Sequence, residues 1–173
     1  MAMSNSLYLL CLLLLLPFSS ISAVSIRTLE EKQTHIKLYF HEIISGPNET
    51  SFIVAGPNLT SQVFGDIVIF DSALREGPDP SSKLIGLAQG TSISTSQSDS
   101  SILSVIYFVF THGRYNGSTI AIFGRVPASG TAERTVIEGS GLFRMARGYT
   151  ISSVVNVSSD SFIIEFNFHL LHY

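Results

Sequence analysis

An all-β fold, a barrel or a sandwich, is what this sequence predicts, and three observations carry the prediction. From Thr34 onward, short runs rich in Ile, Val, Phe, Tyr and Thr are punctuated by Gly, Pro, Asn and Ser. The first and last of these runs alternate apolar and polar residues with the two-residue period of a strand. No segment sustains the 3.6-residue apolar period of a helix, beyond a single turn's worth around Thr28 to Lys32. Strands are therefore expected near 35–44, 51–55, 65–72, 84–95, 101–111, 117–126, 133–138, 148–157 and 161–171. The turns between them fall at Asn58, Gly77 to Pro80, Gly113 to Gly117 and Pro127 to Gly130. Neither an internal repeat nor a domain boundary is visible.

Alternation assigns the faces. In the first run Ile36, Leu38, Phe40, Glu42 and Ile44 share one side, opposite His35, Lys37, Tyr39 and His41. In the last, Phe162, Ile164, Phe166, Phe168 and Leu170 oppose Ser161, Glu165, Asn167 and His169. The middle runs, Ile67 to Phe70 and Ile102 to Phe110, are apolar on both sides, so their outer face needs a cover. Self-association is the simplest one.

The N-terminus stands apart. Leu7 to Phe18 is an apolar block of twelve residues, too short for the roughly 20 that span a bilayer. Small residues follow, through Ser19, Ser20, Ser22 and Ala23, in the pattern of a cleaved secretory signal peptide over 1–23. One domain is then expected over 24–173, secreted to the extracellular space. Four Asn-x-Ser/Thr sequons, at Asn48, Asn58, Asn116 and Asn156, fit export and are the expected glycosylation sites.

Composition excludes several classes of function. The chain has 173 residues, 10 Lys+Arg against 13 Asp+Glu, and 13% charged residues where about 25% is usual. That acidic balance offers no phosphate-neutralising patch, so nucleic acid is not an expected partner, and neither is a membrane. The lone Cys11 allows neither a disulfide framework nor a thiolate metal site. His169 and His172, three apart on a strand, face opposite ways and make a poor metal pair. No nucleophile elbow, phosphate-binding glycine loop or His-Glu-x-x-His motif is present. Gly139-Ser-Gly141 reads as a tight turn or bulge at a rim.

What remains is an apolar cavity with few polar groups, built by a chain holding 12 Phe, 6 Tyr and no Trp. Glu42 lies by parity among apolar neighbours, where desolvation raises a carboxyl's pKa unless a cation compensates. It is either a proton donor or half of a structural ion pair with an arginine. Asp71 either points inward at the mouth or begins a turn. Arg147 is either buried against an acid or exposed, and Arg144 is a further candidate.

The motifs together resemble the plant dirigent proteins. They are Tyr39-Phe-His-Glu-Ile43, Phe64-Gly-Asp-Ile-Val-Ile-Phe-Asp71, Glu76-Gly-Pro-Asp-Pro-Ser-Ser-Lys-Leu-Ile-Gly86, Ala88-Gln-Gly90, Tyr115-Asn-Gly-Ser-Thr119 and Val136 to Tyr149, in family order. The resemblance implies an eight-stranded antiparallel β-barrel similar to allene oxide cyclase, packed as a homotrimer, with a dimer as the alternative. It also implies secretion to the apoplast and stereoselective coupling of monolignol phenoxy radicals made by a separate laccase or peroxidase, with no cofactor of the protein's own. By the family's motifs Glu42 is the acid and Arg147 the pocket arginine. Leu142 stands where a second acid is usual and Ser92 where a tyrosine is usual. Asp71, Ser92, Leu142 and Phe166 are then the expected substrate contacts. Two alternatives accompany this reading: an isoflavanol dehydratase acting through a quinone methide, as in dirigent-like pterocarpan synthases, and a non-catalytic defence protein that binds phenolics or glycans.

Overall fold

Nine strands follow one another in the computed structural model, which describes residues 30–57, 59 and 62–173. They are β1 (Lys32–Ile43), β2 (Ser51–Ala55), β3 (Ile67–Arg75), β4 (Leu84–Ser94), β5 (Ile102–Phe110), β6 (Thr119–Val126), β7 (Ala132–Ser140), β8 (Arg147–Val157) and β9 (Ser161–His172). Single turns of 3-10 helix, Gly113–Tyr115 and Gly141–Phe143, follow β5 and β7. The nine sequence-predicted runs match these strands closely. The helical turn expected at Thr28 to Lys32 is not formed where it is described, since Lys32 already opens β1. Thr28 itself, the signal-peptide segment and Asn58 lie outside the described residues.

All pairings are antiparallel, in the order β1-β9-β8-β7-β6-β5-β4-β3, and a further β1–β3 pairing closes the ring into an eight-stranded barrel. Strand β2 is the ninth. It continues past the end of β1 and pairs with Ile67 to Phe70 of β3, whereas β1 itself pairs with Ala73 to Arg75. Two strands thus share one neighbour end to end, and Glu42 lies at the point where β1 leaves β3.

Parity fills the barrel unevenly. Inward positions toward one end carry large side chains: Phe108, Phe110, Phe143, Phe166, Phe168, Leu38, Ile120 and Leu170 are all fully buried. The rings meet edge to face, Phe108 standing 5.0 Å from both Phe166 and Phe168, and Phe40 6.4 Å from Phe166. Toward the other end, inward positions are serines: Ser92 on β4, Ser104 on β5 and Ser152 on β8. An eight-stranded barrel is wide enough either to fill with side chains or to hold one small ligand. Here one half is filled by side chains and the other leaves a space.

The outer wall also follows the sequence. Ile69, Thr91, Val105 and Phe123 form one register row across β3, β4, β5 and β6, with Ile69 and Phe123 exposed. Polar pairs interrupt it, Gln89 donating to Asp71 and Tyr107 to Glu138. Replacing Phe108 by Ala removes the ring on which Phe166 and Phe168 both rest, so urea unfolding should report a loss of about 3–5 kcal/mol. A loss under about 1 kcal/mol would show that the plug is loosely packed.

Candidate functional site

The serine-lined end of the barrel, where β1 ends and β9 begins, opens into a cavity of about 580 Å3. Its floor is the open side of the phenylalanine plug, Phe40, Ile106 and Phe166, and Ile102, Val154 and Phe162 form the apolar walls. Glu42, Arg134, Ser92, Ser104 and Ser152 supply polar groups. The size and the mixture suit one small organic guest with a few directional contacts.

Glu42 reaches this cavity because the β1 alternation carries through Ile36, Leu38 and Phe40 to the strand's end. Burial pushes its carboxyl above the ordinary glutamate range, against the opposing pull of a hydrogen bond with Ser51. Among the described residues no Lys or Arg pairs with it. Of the two readings open in the sequence, the ion pair is therefore the one the structure does not form. A carboxylic acid that holds its proton to higher pH than an ordinary glutamate is better suited to donate it. The carboxyl also lines a neighbouring recess of about 560 Å3 that shares Ser92, Ile102 and Phe162 with the main cavity.

Arg134 was not singled out by sequence reasoning, and it is the cation of the site. It is 4% exposed, in the middle of β7. Nη1 donates to Ser104 Oγ at 2.9 Å and Nη2 to Ser152 Oγ at 2.6 Å, while Cζ stands 4.9 Å from the centre of the Phe166 ring. No carboxylate neutralises it among the described residues, and Nε lacks a hydrogen-bond partner there. Burial lowers its pKa to about 10, so it stays charged at neutral pH. Room for its stem comes from Gly124 on β6, where an added Cβ would lie 2.8 Å from Arg134 Cγ. The signal was legible: Ala132, Arg134 and Val136 alternate against Glu133, Thr135 and Ile137, which places the arginine inside by parity.

The other expected site residues divide between the cavity and elsewhere. Ser92 and Phe166 belong to it, Ser92 on the wall and Phe166 beneath the Arg134 guanidinium. Asp71 neither points inward nor begins a turn. It sits mid-strand on the outer face because Val68, Phe70, Ser72 and Leu74 hold the inward positions of β3. Arg147 is exposed and pairs with Glu31 at 2.7 Å. It opens β8 opposite Leu171, which faces Gln33 on β1, so it lies nine register positions from Glu42, about 30 Å along the strand. Leu142 is exposed in the 3-10 turn at that same far end, and Arg144 is exposed beside it. The motif thus named the wrong arginine for this cavity. Asn48, Asn116 and Asn156 are exposed.

Among known proteins, the family model described as "Dirigent-like protein" matches residues 33–171, all of the barrel but its first and last strand residues. The chain belongs to the dirigent family. A member from Arabidopsis thaliana, Dirigent protein 1, is 44% identical over 146 residues, spanning 82% of this chain and 80% of that one. Pterocarpan synthase 1 of Glycyrrhiza echinata is 36% identical over 163 residues, 90% and 87% of the two chains. The solved structure of the pterocarpan synthase dirigent protein GePTS1 superposes with a TM-score of 0.79 at 36% identity, over 83% of this chain and 92% of that one. A Diels-Alderase from Streptomyces koyangensis, at a TM-score of 0.58 and 15% identity, shares the fold alone.

Two stability measurements probe the cavity without a ligand. The folded state keeps the Glu42 proton at a pH where the unfolded chain has released it. The wild type therefore loses stability as pH rises from the ordinary glutamate range through the raised value. Glu42→Gln has no such loss. It should melt with the wild type at pH 4 and above it at pH 8, and identical curves at both pH values would contradict a desolvated carboxyl. Arg134→Met replaces an uncompensated buried cation by an apolar chain of similar length, so its urea midpoint should equal or exceed the wild-type one. A loss of about 3–5 kcal/mol would reveal a counter-ion for Arg134.

Proposed function

We propose that this dirigent-family protein binds a phenolic guest in the serine-lined mouth and imposes stereochemistry on the coupling of monolignol phenoxy radicals. The radicals come from a separate laccase or peroxidase. The observation that carries the reading is the meeting, in one cavity, of an acid whose pKa burial raises with a buried cation that no carboxylate pairs among the described residues. Coupling of two phenoxy radicals gives a quinone methide, whose ring closure consumes a hydroxyl nucleophile and delivers a proton to the carbonyl oxygen. Arg134 suits the oxygen as negative charge grows there, because a cation already desolvated needs no reorganisation. Glu42 suits proton delivery. The apolar walls hold one face of the planar guest and keep water from competing as nucleophile.

A second reading is favoured by a specific finding: the pterocarpan synthases are similar over nearly the whole chain, in sequence and in structure. In that reading Glu42 protonates the departing hydroxyl of an isoflavanol, water leaves, and the phenol oxygen of the resulting quinone methide closes the ring. Arg134 would serve the same oxygen in both cases. A third reading, a carrier of phenolics or a glycan-binding protein, uses the cavity without the chemistry.

One assay separates them. Purified protein is incubated with coniferyl alcohol with and without laccase, and with an isoflavanol alone, and products are resolved by chiral chromatography. The coupling reading expects no product from the protein alone and an enantiomeric excess once laccase is added, with Glu42→Gln and Arg134→Met both returning toward racemic product. Turnover of the isoflavanol without oxidant would replace it by the dehydratase reading. Binding with racemic product would leave the carrier.

Assembly and export belong to the same proposal. The apolar row Ile69, Val105 and Phe123 is a natural contact between copies of the chain, and a homotrimer is the expected result. Light scattering should give three times the chain mass, and Val105→Lys should give the mass of one. A monomeric wild type would contradict the assembly. Secretion to the apoplast, with glycan on the exposed Asn48, Asn116 or Asn156, completes the picture.

A further inference from the structure

The end of the barrel opposite Glu42 has a recess of its own, with a volume of about 350 Å3. Thr34, Arg114, Tyr115, Leu142, Phe143 and His172 line it. They come from the start of β1, the two 3-10 turns and the end of β9. The fully buried Phe166 and Phe168 stand between this recess and the mouth in the register of β9, so the two spaces are separate.

Three features make the recess more than a gap. Its walls are aromatic: the Tyr115 and Phe143 rings are 5.0 Å apart, and Phe143 meets His172 edge-on at 5.5 Å. Arg114 holds its guanidinium 4.4 Å above the Tyr115 ring and has no acidic partner among the described residues. The adjoining cleft, which shares Arg114 and Tyr115, adds Lys37 and Lys83, but these are held by Glu165 and Glu76. The third feature is His172. It is 8% exposed, its Nε2 meets Thr34 Oγ1 at 2.9 Å, and its Nδ1 has no partner among the described residues. A buried polar nitrogen left unpaired costs free energy that a ligand group can recover.

We propose that this recess is a second small-molecule site, for a planar aromatic carboxylate with one ring. The ring lies against Tyr115 and Phe143, the carboxylate takes the Arg114 guanidinium, and a polar group of the ligand or a water it carries in serves His172 Nδ1. Aromatic walls select against simple inorganic anions, which gain nothing from apolar contact. The free guanidinium selects against neutral phenols and alcohols, since a fork of N–H donors is matched by a carboxylate. The volume lies near the lower end of small-molecule pockets, which sets the one-ring limit. This site does not depend on the chemistry assigned to the mouth.

The experiment is an NMR titration of the 15N-labelled protein with trans-cinnamate, cinnamate methyl ester and inorganic phosphate. Cinnamate should give saturable shifts of the amides of Arg114 to Asn116 and Leu142 to Phe143. Arg114→Gln, a change at an exposed side chain, should weaken that response about tenfold or more. The methyl ester should bind the wild type no better than cinnamate binds that variant. Leu142→Trp, which fills the recess from its exposed rim, should abolish the shifts while leaving any response at Ala128 to Gly130 of the mouth intact. The proposal is overturned if cinnamate shifts only the mouth amides or none, if Arg114→Gln binds as well as wild type, or if phosphate displaces cinnamate at equal concentration.

Discussion

Edge-to-face contacts among Phe40, Phe108, Phe166 and Phe168 decide what kind of barrel this is. An eight-stranded barrel has an interior just wide enough for side chains, so it is hollow only where its inward residues are small. The chain places phenylalanine, leucine and isoleucine inward at one end and serine at the other. Without disulfides, the plugged half is what holds the strands in register, and the open half can then tolerate polar and charged groups. Stability and site are segregated along one axis of the same sheet.

That segregation explains how Glu42 and Arg134 coexist so close to an apolar core. Neither forms an ion pair among the described residues, and each is steadied by hydroxyls: Ser51 for the acid, Ser104 and Ser152 for the guanidinium. Hydroxyls satisfy hydrogen bonds without cancelling charge. The result is an acid with a raised pKa and a cation that retains its field, facing one cavity from strands β1 and β7, which are separated by β9 and β8. Replacing the serines with carboxylates would satisfy the arginine better and leave the guest nothing to meet.

Much of this was legible in the sequence, and the misses have physical causes. Strand positions and the inward parity of β1 and β9 followed from alternation, and with them came Glu42 and Phe166. The two-sided apolar runs of β3 and β5 announce an outer face, and it carries exposed Ile69 and Tyr107. Asp71 was misplaced because its strand was read as ending there, whereas β3 runs on to Arg75 and parity turns the aspartate outward. Arg147 and Leu142 were assigned to the cavity by motif, which carries no information about the end of the barrel on which a residue sits. Arg134 was missed although its parity was plain, because an arginine flanked by Glu133 and Thr135 looks like an exposed strand residue until the alternation is counted. The ring closure through β1 and β3, with β2 appended, needed coordinates: nine similar runs do not say which two strands meet.

The proposed chemistry of the mouth requires a Glu42 carboxyl that is desolvated and in contact with whatever occupies it. Carbon-13 NMR titration of the glutamate side-chain carboxyls measures that directly. One resonance, removed in Glu42→Gln, should titrate above the ordinary glutamate range and shift again when a phenol such as coniferyl alcohol is added. A Glu42 resonance that titrates like an exposed glutamate and ignores the phenol would contradict the site.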